Sequence, residues 1–372
     1  MIYLDNAAST KPTEKVITAV ADTMNQFYAN PSSFHRLGTQ AHELLESKRR
    51  QICNKLNLSS DWLIFTSSAT EANQTVLKCG IKNSNKNRNH IVFSAFEHSS
   101  VMQTKVYLEE KGYEVEIFQP DPSGWVDPNK LASKIRPSTE LVSIIGVHNE
   151  MGTIQDIVKI KEMISSINPN TLFHVDGVQW FGKYPLPSAS QMPDFFTFSG
   201  HKLHGPRGVG GIIKRPNTPL KPLIHGGGQE NRMRSGTENL PAIAGLSQAL
   251  DEFKEETKTQ LLPLQNKIYE FALSHSSLKW LGLPPGMNRS PYINLITVKN
   301  KKSEVLIHQL EELGIYISSG SACSEKSGKY QSNWNFLNLT NEYKEGILRI
   351  SLSFENTLQE IETFLKALDK II

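Results

Sequence analysis

Two apolar runs in this chain end in groups that can do chemistry together. Thr171-Leu-Phe-His-Val-Asp176-Gly-Val-Gln179 delivers a carboxylate, and Phe195-Phe-Thr-Phe-Ser-Gly-His201-Lys202 delivers an amine. An amine that holds an aldehyde as a Schiff base, with a carboxylate against a pyridinium nitrogen, is what pyridoxal 5′-phosphate (PLP) asks of a protein. Taken singly, Lys202 and Asp176 read more simply as a loop lysine and a strand-end aspartate, because loops are the usual home of charged groups. The number of further groups that fit the same chemistry overturns that simpler reading.

Leu63-Ile-Phe-Thr-Ser-Ser-Ala69-Thr70-Glu71-Ala-Asn73 is a strand entering a helix through small hydroxylic residues. The free N–H groups and dipole of such a junction favour an anion, and Ala69 and Thr70 stand where a phosphate would be held. A plain helix cap is the competing reading of that segment alone. Ser199 and His201, flanking the lysine, can complete the cradle. His98 closes another run and can stack on a planar cofactor and shuttle protons, though a structural histidine fits the local pattern as well. Asn149 and Gln179 can address a ring oxygen; each also reads as an ordinary strand-end polar group. Cys323 lies in Ile317-Ser-Ser-Gly-Ser-Ala-Cys-Ser-Glu-Lys-Ser-Gly328, a Gly/Ser loop that would expose a thiol, which becomes a nucleophile when its pKa falls. Cys53 and Cys79, in apolar helical contexts, read as packing. Arg349, inside the apolar run Leu348-Arg-Ile-Ser-Leu352, needs a carboxylate partner. A substrate carboxylate suits its forked donors, and a structural ion pair competes.

Other motifs do not carry the chemistry. Gly205-Pro-Arg-Gly208-Val-Gly210 precedes a strand rather than a helix, so it is not a dinucleotide fingerprint. His201 and His204 have metal-like spacing without a third ligand in register. His225-Gly-Gly-Gly228 resembles an esterase oxyanion loop, but no G-x-S-x-G elbow accompanies it.

The elements that must position these residues follow from the pattern. From about residue 60 to 215, short β-rich runs alternate with helix-like segments, which predicts an α/β fold with a mostly parallel central sheet flanked by helices. Ligands in such folds bind beyond the carboxyl ends of the strands. After a helical stretch over 240–275, the runs Tyr292–Val298, Ile315–Ser318 and Ile347–Leu352, with helices starting at Ser303 and Thr357, predict a smaller α+β domain. The expected division is 15–255 for a large cofactor-binding domain, and 1–14 with 256–372 for a small domain carrying the cysteine loop. The 372 residues suffice for this. A net charge of +3 is too mild to imply nucleic acid, and no apolar run reaches membrane-span length. Three scattered cysteines argue against a disulfide framework or zinc site and fit a reducing cytoplasm. The N-terminus shows no charged-then-apolar secretory pattern.

The chain resembles the cysteine desulfurases of the fold-type I, class V aminotransferase group. The resemblance runs over essentially its whole length. It is carried by Tyr3-Leu-Asp-Asn-Ala-Ala, Ala69-Thr70-Glu71-Ala-Asn73, Glu97-His98, Asn149-Glu150, His174-Val-Asp176 with Gln179, Ser199-Gly-His-Lys202, His225-Gly-Gly-Gly-Gln-Glu230, Arg234-Ser-Gly-Thr237 and Ser318-Ser-Gly-Ser-Ala-Cys323. It implies that Lys202 bears the cofactor, Asp176 pairs with the pyridinium nitrogen and His98 stacks on the ring. It further implies that Asn149 and Gln179 address the ring hydroxyl, while Thr70, Ser199 and His201 hold the phosphate with Thr237 of a partner subunit, hence a homodimer. Arg349, with Asn149, would bind the L-cysteine substrate, and Cys323 would carry a persulfide to an acceptor protein such as an iron–sulfur scaffold. His148 stands where family members often have asparagine, Ser68 where glycine is common, and Glu325-Lys-Ser-Gly-Lys-Tyr330 replaces the usual continuation after the cysteine. The alternatives are a selenocysteine lyase on the same scaffold and a non-enzymatic sulfur-handling or assembly subunit.

Overall fold

The computed structural model of the chain describes residues 1–81, 87–254, 256–320 and 334–372. The chain opens with a short strand, Ile2–Tyr3 (β1). Seven strands then follow: Leu63–Thr66 (β2), His90–Ser94 (β3), Glu114–Phe118 (β4), Thr139–Ile145 (β5), Leu172–Asp176 (β6), Phe195–Ser199 (β7) and Gly210–Lys214 (β8). They form one sheet in the order β2-β8-β7-β6-β5-β3-β4. The pairings from β7 through β4 are parallel, while β8 runs antiparallel to both of its neighbours.

Apart from the edge strand β4, these strands are largely apolar runs because both faces of the sheet are covered. Alternate residues serve opposite layers. Val92, Val142, Ile144, Phe173, Val175 and Phe196 belong to one core cluster. Ile91, Phe93, Leu141 and Phe195 belong to another, with Ala72, Val76 and Leu77 of the helix Ala69–Cys79. That helix starts at its N-cap Ser68, whose hydroxyl accepts from the N–H of Glu71. The backbone of β8 passes directly beneath this start. A Cβ on Gly210 would meet the Ser68 carbonyl carbon at 2.8 Å and the Ala69 nitrogen at 3.0 Å. Glycine there lets the sheet and the helix N-terminus come together.

A second sheet is built from Leu278–Trp280 (β9), Ile293–Val298 (β10), Ser318–Ser319 and Ile347–Ser351; with Ile315–Tyr316 as β11, the last two are β12 and β13. Its order is β12-β13-β10-β9, all antiparallel. Thr357 caps the final helix, Leu358–Asp369, in a reciprocal capping box with Glu360, as their spacing predicts. The N-terminal segment ties the two sheets together. β1 pairs with β11, and Asp5 bridges to Ser351. The next residues cross to the large sheet, where Thr10 donates its hydroxyl to the His201 carbonyl and accepts from the His204 N–H.

Candidate active site

The carboxyl ends of β3, β5, β6 and β7 deliver His98, Asn149, Asp176 and Lys202 to one place beneath the segment Asp5–Thr10. Lys202 follows β7 in a short 3₁₀ turn, and its Nζ donates to the carbonyl of Ala7 at 2.6 Å and to that of Ala8. Asp176, the last residue of β6, is buried. Its Oδ1 accepts from the Val178 N–H at 3.1 Å and its Oδ2 from the Asn73 side-chain amide at 2.9 Å. Two fixed donors hold the carboxylate in place and still leave lone pairs for a ligand N–H. Gly177 between them has no room for a side chain, since a Cβ would fall 2.0 Å from the Phe196 ring.

His98 lies within electrostatic reach of both Asp176 and Lys202. Burial lowers its pKa; the Asp176 charge opposes that shift and the Lys202 charge adds to it. Its Nδ1 accepts from the Ser100 N–H at 3.2 Å and lies 2.9 Å from the Ser100 hydroxyl. That hydroxyl accepts from Asn73, so its own proton is given to the imidazole. Both contacts put His98 in the neutral form with its proton on Nε2.

Gln179 is oriented without ambiguity. Its Nε2 donates to the Ala7 carbonyl at 2.9 Å, which only accepts, and its Oε1 accepts at 3.1 Å from Lys183 Nζ, which only donates. Burial, with the nearby Lys202 charge, pulls the Lys183 amine down to about 7. His201, held down to about 4 chiefly by burial and then by Lys202, lies 3.3 Å from the Ser9 hydroxyl. Ser199 is buried at the end of β7, beside Gly210. Ala69 is half-buried and Thr70 exposed at the helix N-terminus.

Arg349, on β13, reaches across from the smaller sheet. Its Nη2 donates to Asp5 Oδ1 at 2.8 Å and its Nη1 to the Asn149 carbonyl at 3.1 Å. The structural ion pair therefore exists, yet the buried Nε has no hydrogen-bond partner among the described residues. A buried guanidinium N–H without an acceptor is costly, and a substrate carboxylate would supply one. Asn149 contributes its backbone here. Thr237 is exposed and lines a separate cavity of about 190 Å³ with Thr66, Ser67 and Arg234. Arg234 anchors that segment to the helix Ala69–Cys79 through Glu71, at 2.9 Å. Cys323 lies outside the described residues. Cys53 is buried and Cys79 half-buried, with both thiols pushed up by burial.

The residues present fit PLP. An amine, an acceptor carboxylate, an imidazole and a helix N-terminus converge, and a buried Arg N–H lacks an acceptor on the facing sheet. The aminotransferase class-V family model matches residues 2–364. The chain belongs to the class-V aminotransferase family. It is similar to a NifS/IcsS protein homolog of Lactobacillus delbrueckii subsp. bulgaricus, 37% identical over 100% of this chain and 97% of that protein. It is also similar to the cysteine desulfurase IscS of Methanosarcina thermophila, 33% identical over 100% of this chain and 92% of the relative. A solved NifS-like protein superposes with a TM-score of 0.92 at 32% identity, over 100% of this chain and 98% of that one.

Several members of the site receive no role from the sequence: Asp5, Asn73, Glu97, His174 and Thr197 lie inside the quoted motifs and runs without one, and Ser100 and Lys183 are not marked at all. Asn73, Ser100, Thr197, His174 and Glu97 connect beneath Asp176 and His98, Asp5 pairs with Arg349, and Lys183 turns the Gln179 amide. Ser143, His174 and Thr197 are each a polar residue with apolar neighbours on both sides within a strand, and that is the signal that marks them.

Proposed function

We propose that this chain is a PLP-dependent cysteine desulfurase that converts L-cysteine to L-alanine and receives the sulfur as a persulfide on Cys323. The observation that carries the reading is the convergence of Lys202 and Asp176 about His98, on a chain alike over its full length to proteins named cysteine desulfurase. When bound, PLP supplies an electron sink for charge developing on the substrate carbon. Lys202 is the amine that would anchor it, and Asp176 would pair with its ring nitrogen. The helix N-terminus at Ala69 and Thr70, with Ser199 and His201, would hold its phosphate, and Gln179 would address its ring oxygen.

The protein's own groups then divide the work. Arg349, with Asn149 beside it, orients the substrate carboxylate. Lys202, released when the substrate amine takes its place, would take the substrate α-proton, and His98 holds a proton on Nε2 for return. The Cys323 thiolate forms a bond to the substrate sulfur as the carbon–sulfur bond breaks, and the electron pair left on carbon takes up a proton to give alanine.

A homodimer is part of the same reading. Thr237 is exposed, and so are the large apolar side chains of Met24, Tyr28 and Phe34, which support a protein partner for this chain. The sulfur acceptor is a second protein, for iron–sulfur assembly or another thio-transfer route. No described helix is long and apolar enough to cross a membrane, and a cytoplasmic location is proposed. Assay of alanine and persulfide from L-cysteine, with wild type and Cys323→Ser, tests the function. Wild type forms both products, and absence of alanine from the PLP-loaded wild type rejects it.

A further inference from the structure

A row of buried polar groups crosses the floor of the site from β3 to β7. Glu97 Oε1 accepts from the Ser94 hydroxyl at 2.6 Å and the Ile145 N–H at 2.5 Å, and its Oε2 lies 3.3 Å from Ser143 Oγ. Ser143 Oγ is 2.8 Å from His174 Nδ1, and His174 Nε2 is 3.2 Å from Thr197 Oγ1. Thr197 Oγ1 is 2.5 Å from Asn73 Oδ1, and Asn73 Nδ2 reaches Asp176 at 2.9 Å. The strands carrying Ser143, His174 and Thr197 are neighbours in the sheet, and all three residues are buried.

The direction of the bonds from Asp176 as far as His174 Nε2 is forced from the Asp176 end, and the charge on His174 decides the rest. A carboxylate only accepts, so Asn73 turns its NH₂ to Asp176 and its carbonyl to Thr197. A 2.5 Å approach to that carbonyl requires the Thr197 proton between them, and the 3.4 Å approach to the Val175 carbonyl does not compete. Thr197 must then accept from His174 Nε2–H. If His174 is neutral, its Nδ1 accepts from Ser143, and the Ser143 oxygen is left to accept from Glu97. The rival wiring places a carboxylate at Glu97 and an imidazolium at His174, two charges in a fully buried row, each carrying a large desolvation cost.

We propose that Glu97 is held as the neutral acid and acts as a positioning residue, the first donor of a one-way hydrogen-bond chain that locks the Asn73 amide on Asp176 and so fixes the direction that carboxylate faces. The ionisation tendencies agree with the wiring: burial pushes the Glu97 carboxyl up to about 8 and the His174 imidazole down to about 3. Asn73 is the branch point. Its second N–H goes to Ser100, which in turn donates to His98, so one amide sets both the aspartate and the histidine. The consequence for PLP rests on the reading of the site given above; the wiring does not.

Infrared difference spectra of cofactor-free wild type and E97Q at neutral pH test the wiring directly. Glutamine presents the same donor and acceptor as a neutral glutamate, so its fold and hydrogen bonds are preserved. The expected result is a carbonyl band of a neutral carboxylic acid in wild type that is absent from E97Q. Nitrogen-15 NMR should show His174 as the neutral Nε2–H tautomer in both. Absence of that band, or a doubly protonated His174 in wild type, overturns the proposal. PLP titration then tests the positioning role. E97L should bind PLP about tenfold more weakly than wild type, the effect of one lost buried donor, and E97Q should recover most of that affinity. E97L binding PLP as tightly as wild type overturns the positioning role. Failure of wild type itself to bind PLP would instead reject the cofactor reading while leaving the infrared result standing.

Discussion

Arg349 Nη2 lies 2.8 Å from Asp5 Oδ1, a pairing that joins β13, an inner strand of the smaller sheet, to the N-terminal segment over the site. The same guanidinium keeps a buried Nε with no hydrogen-bond partner among the described residues. One edge of Arg349 is thus held in place, and one buried N–H is left without an acceptor among the described residues.

Arg349→Ala should raise KM for L-cysteine by about one to two decades, since a charge-assisted forked contact contributes roughly 1.5–3 kcal/mol. The cofactor's dissociation constant should change far less. Asp5→Asn keeps an acceptor at Nη2 but removes the charge, so its KM should rise by less than that of Arg349→Ala. Steady-state kinetics and PLP titration of the two variants check this. An unchanged KM with a large loss of thermal stability would make the ion pair purely structural.

The Glu97 carboxyl should mark the pH dependence of stability. Asp176 and His174 face it from β6, and His98 is its neighbour in the chain. Its folded pKa, about 8, lies above the ordinary carboxyl value of 4.5. Between those values the unfolded chain gives up a proton that the folded protein keeps, so this group's contribution falls as pH rises. Glu97→Gln removes that linkage. The melting temperature of E97Q minus that of wild type should therefore grow steadily from pH 5 to pH 8, and a flat difference contradicts the assignment.

The sheet was legible for a physical reason. Strands covered on both faces are largely apolar runs, and the β-rich runs expected from about residue 60 to 215 fall on the strands of the large sheet. The site's outer members were legible as polar residues where those runs stop, as with Asp176 and Lys202. The floor beneath them was not. Ser143 and His174 meet only because β5 and β6 are parallel neighbours in register, and Thr197 joins them from the far side of β6. No spacing in the chain encodes that meeting. The helical stretch expected over 240–275 is two helices, Leu240–Glu252 and Glu256–Ser274. Phe253 leaves helical geometry between them and packs edge-on against Phe354, with ring centroids 5.2 Å apart. A buried aromatic contact from the other end of the chain decides that break, and helical periodicity does not report it.

Cys323→Ser should bind PLP and L-cysteine and show the spectral change on substrate addition, but form no persulfide. A hydroxyl is a far poorer nucleophile toward sulfur than a thiolate. Cys53→Ser and Cys79→Ser should retain desulfurase activity, because both thiols are held protonated by burial. Persulfide labelling and alanine release check all three variants. Full alanine production by Cys323→Ser without added thiol would mean that sulfur is released directly.

Two amines stand in the same wall of the site, which makes the anchoring lysine the sharpest question. Lys183, its pKa pulled down to about 7 by burial and the Lys202 charge, sits 3.1 Å from the Gln179 amide oxygen. Lys202 follows β7 and lies with Asp176 about His98. Borohydride reduction of the PLP-loaded protein followed by peptide mass spectrometry distinguishes them. The pyridoxyl mass should fall on Lys202 and disappear in Lys202→Ala. Finding it on Lys183, or on any other lysine of wild type, would contradict the site as described.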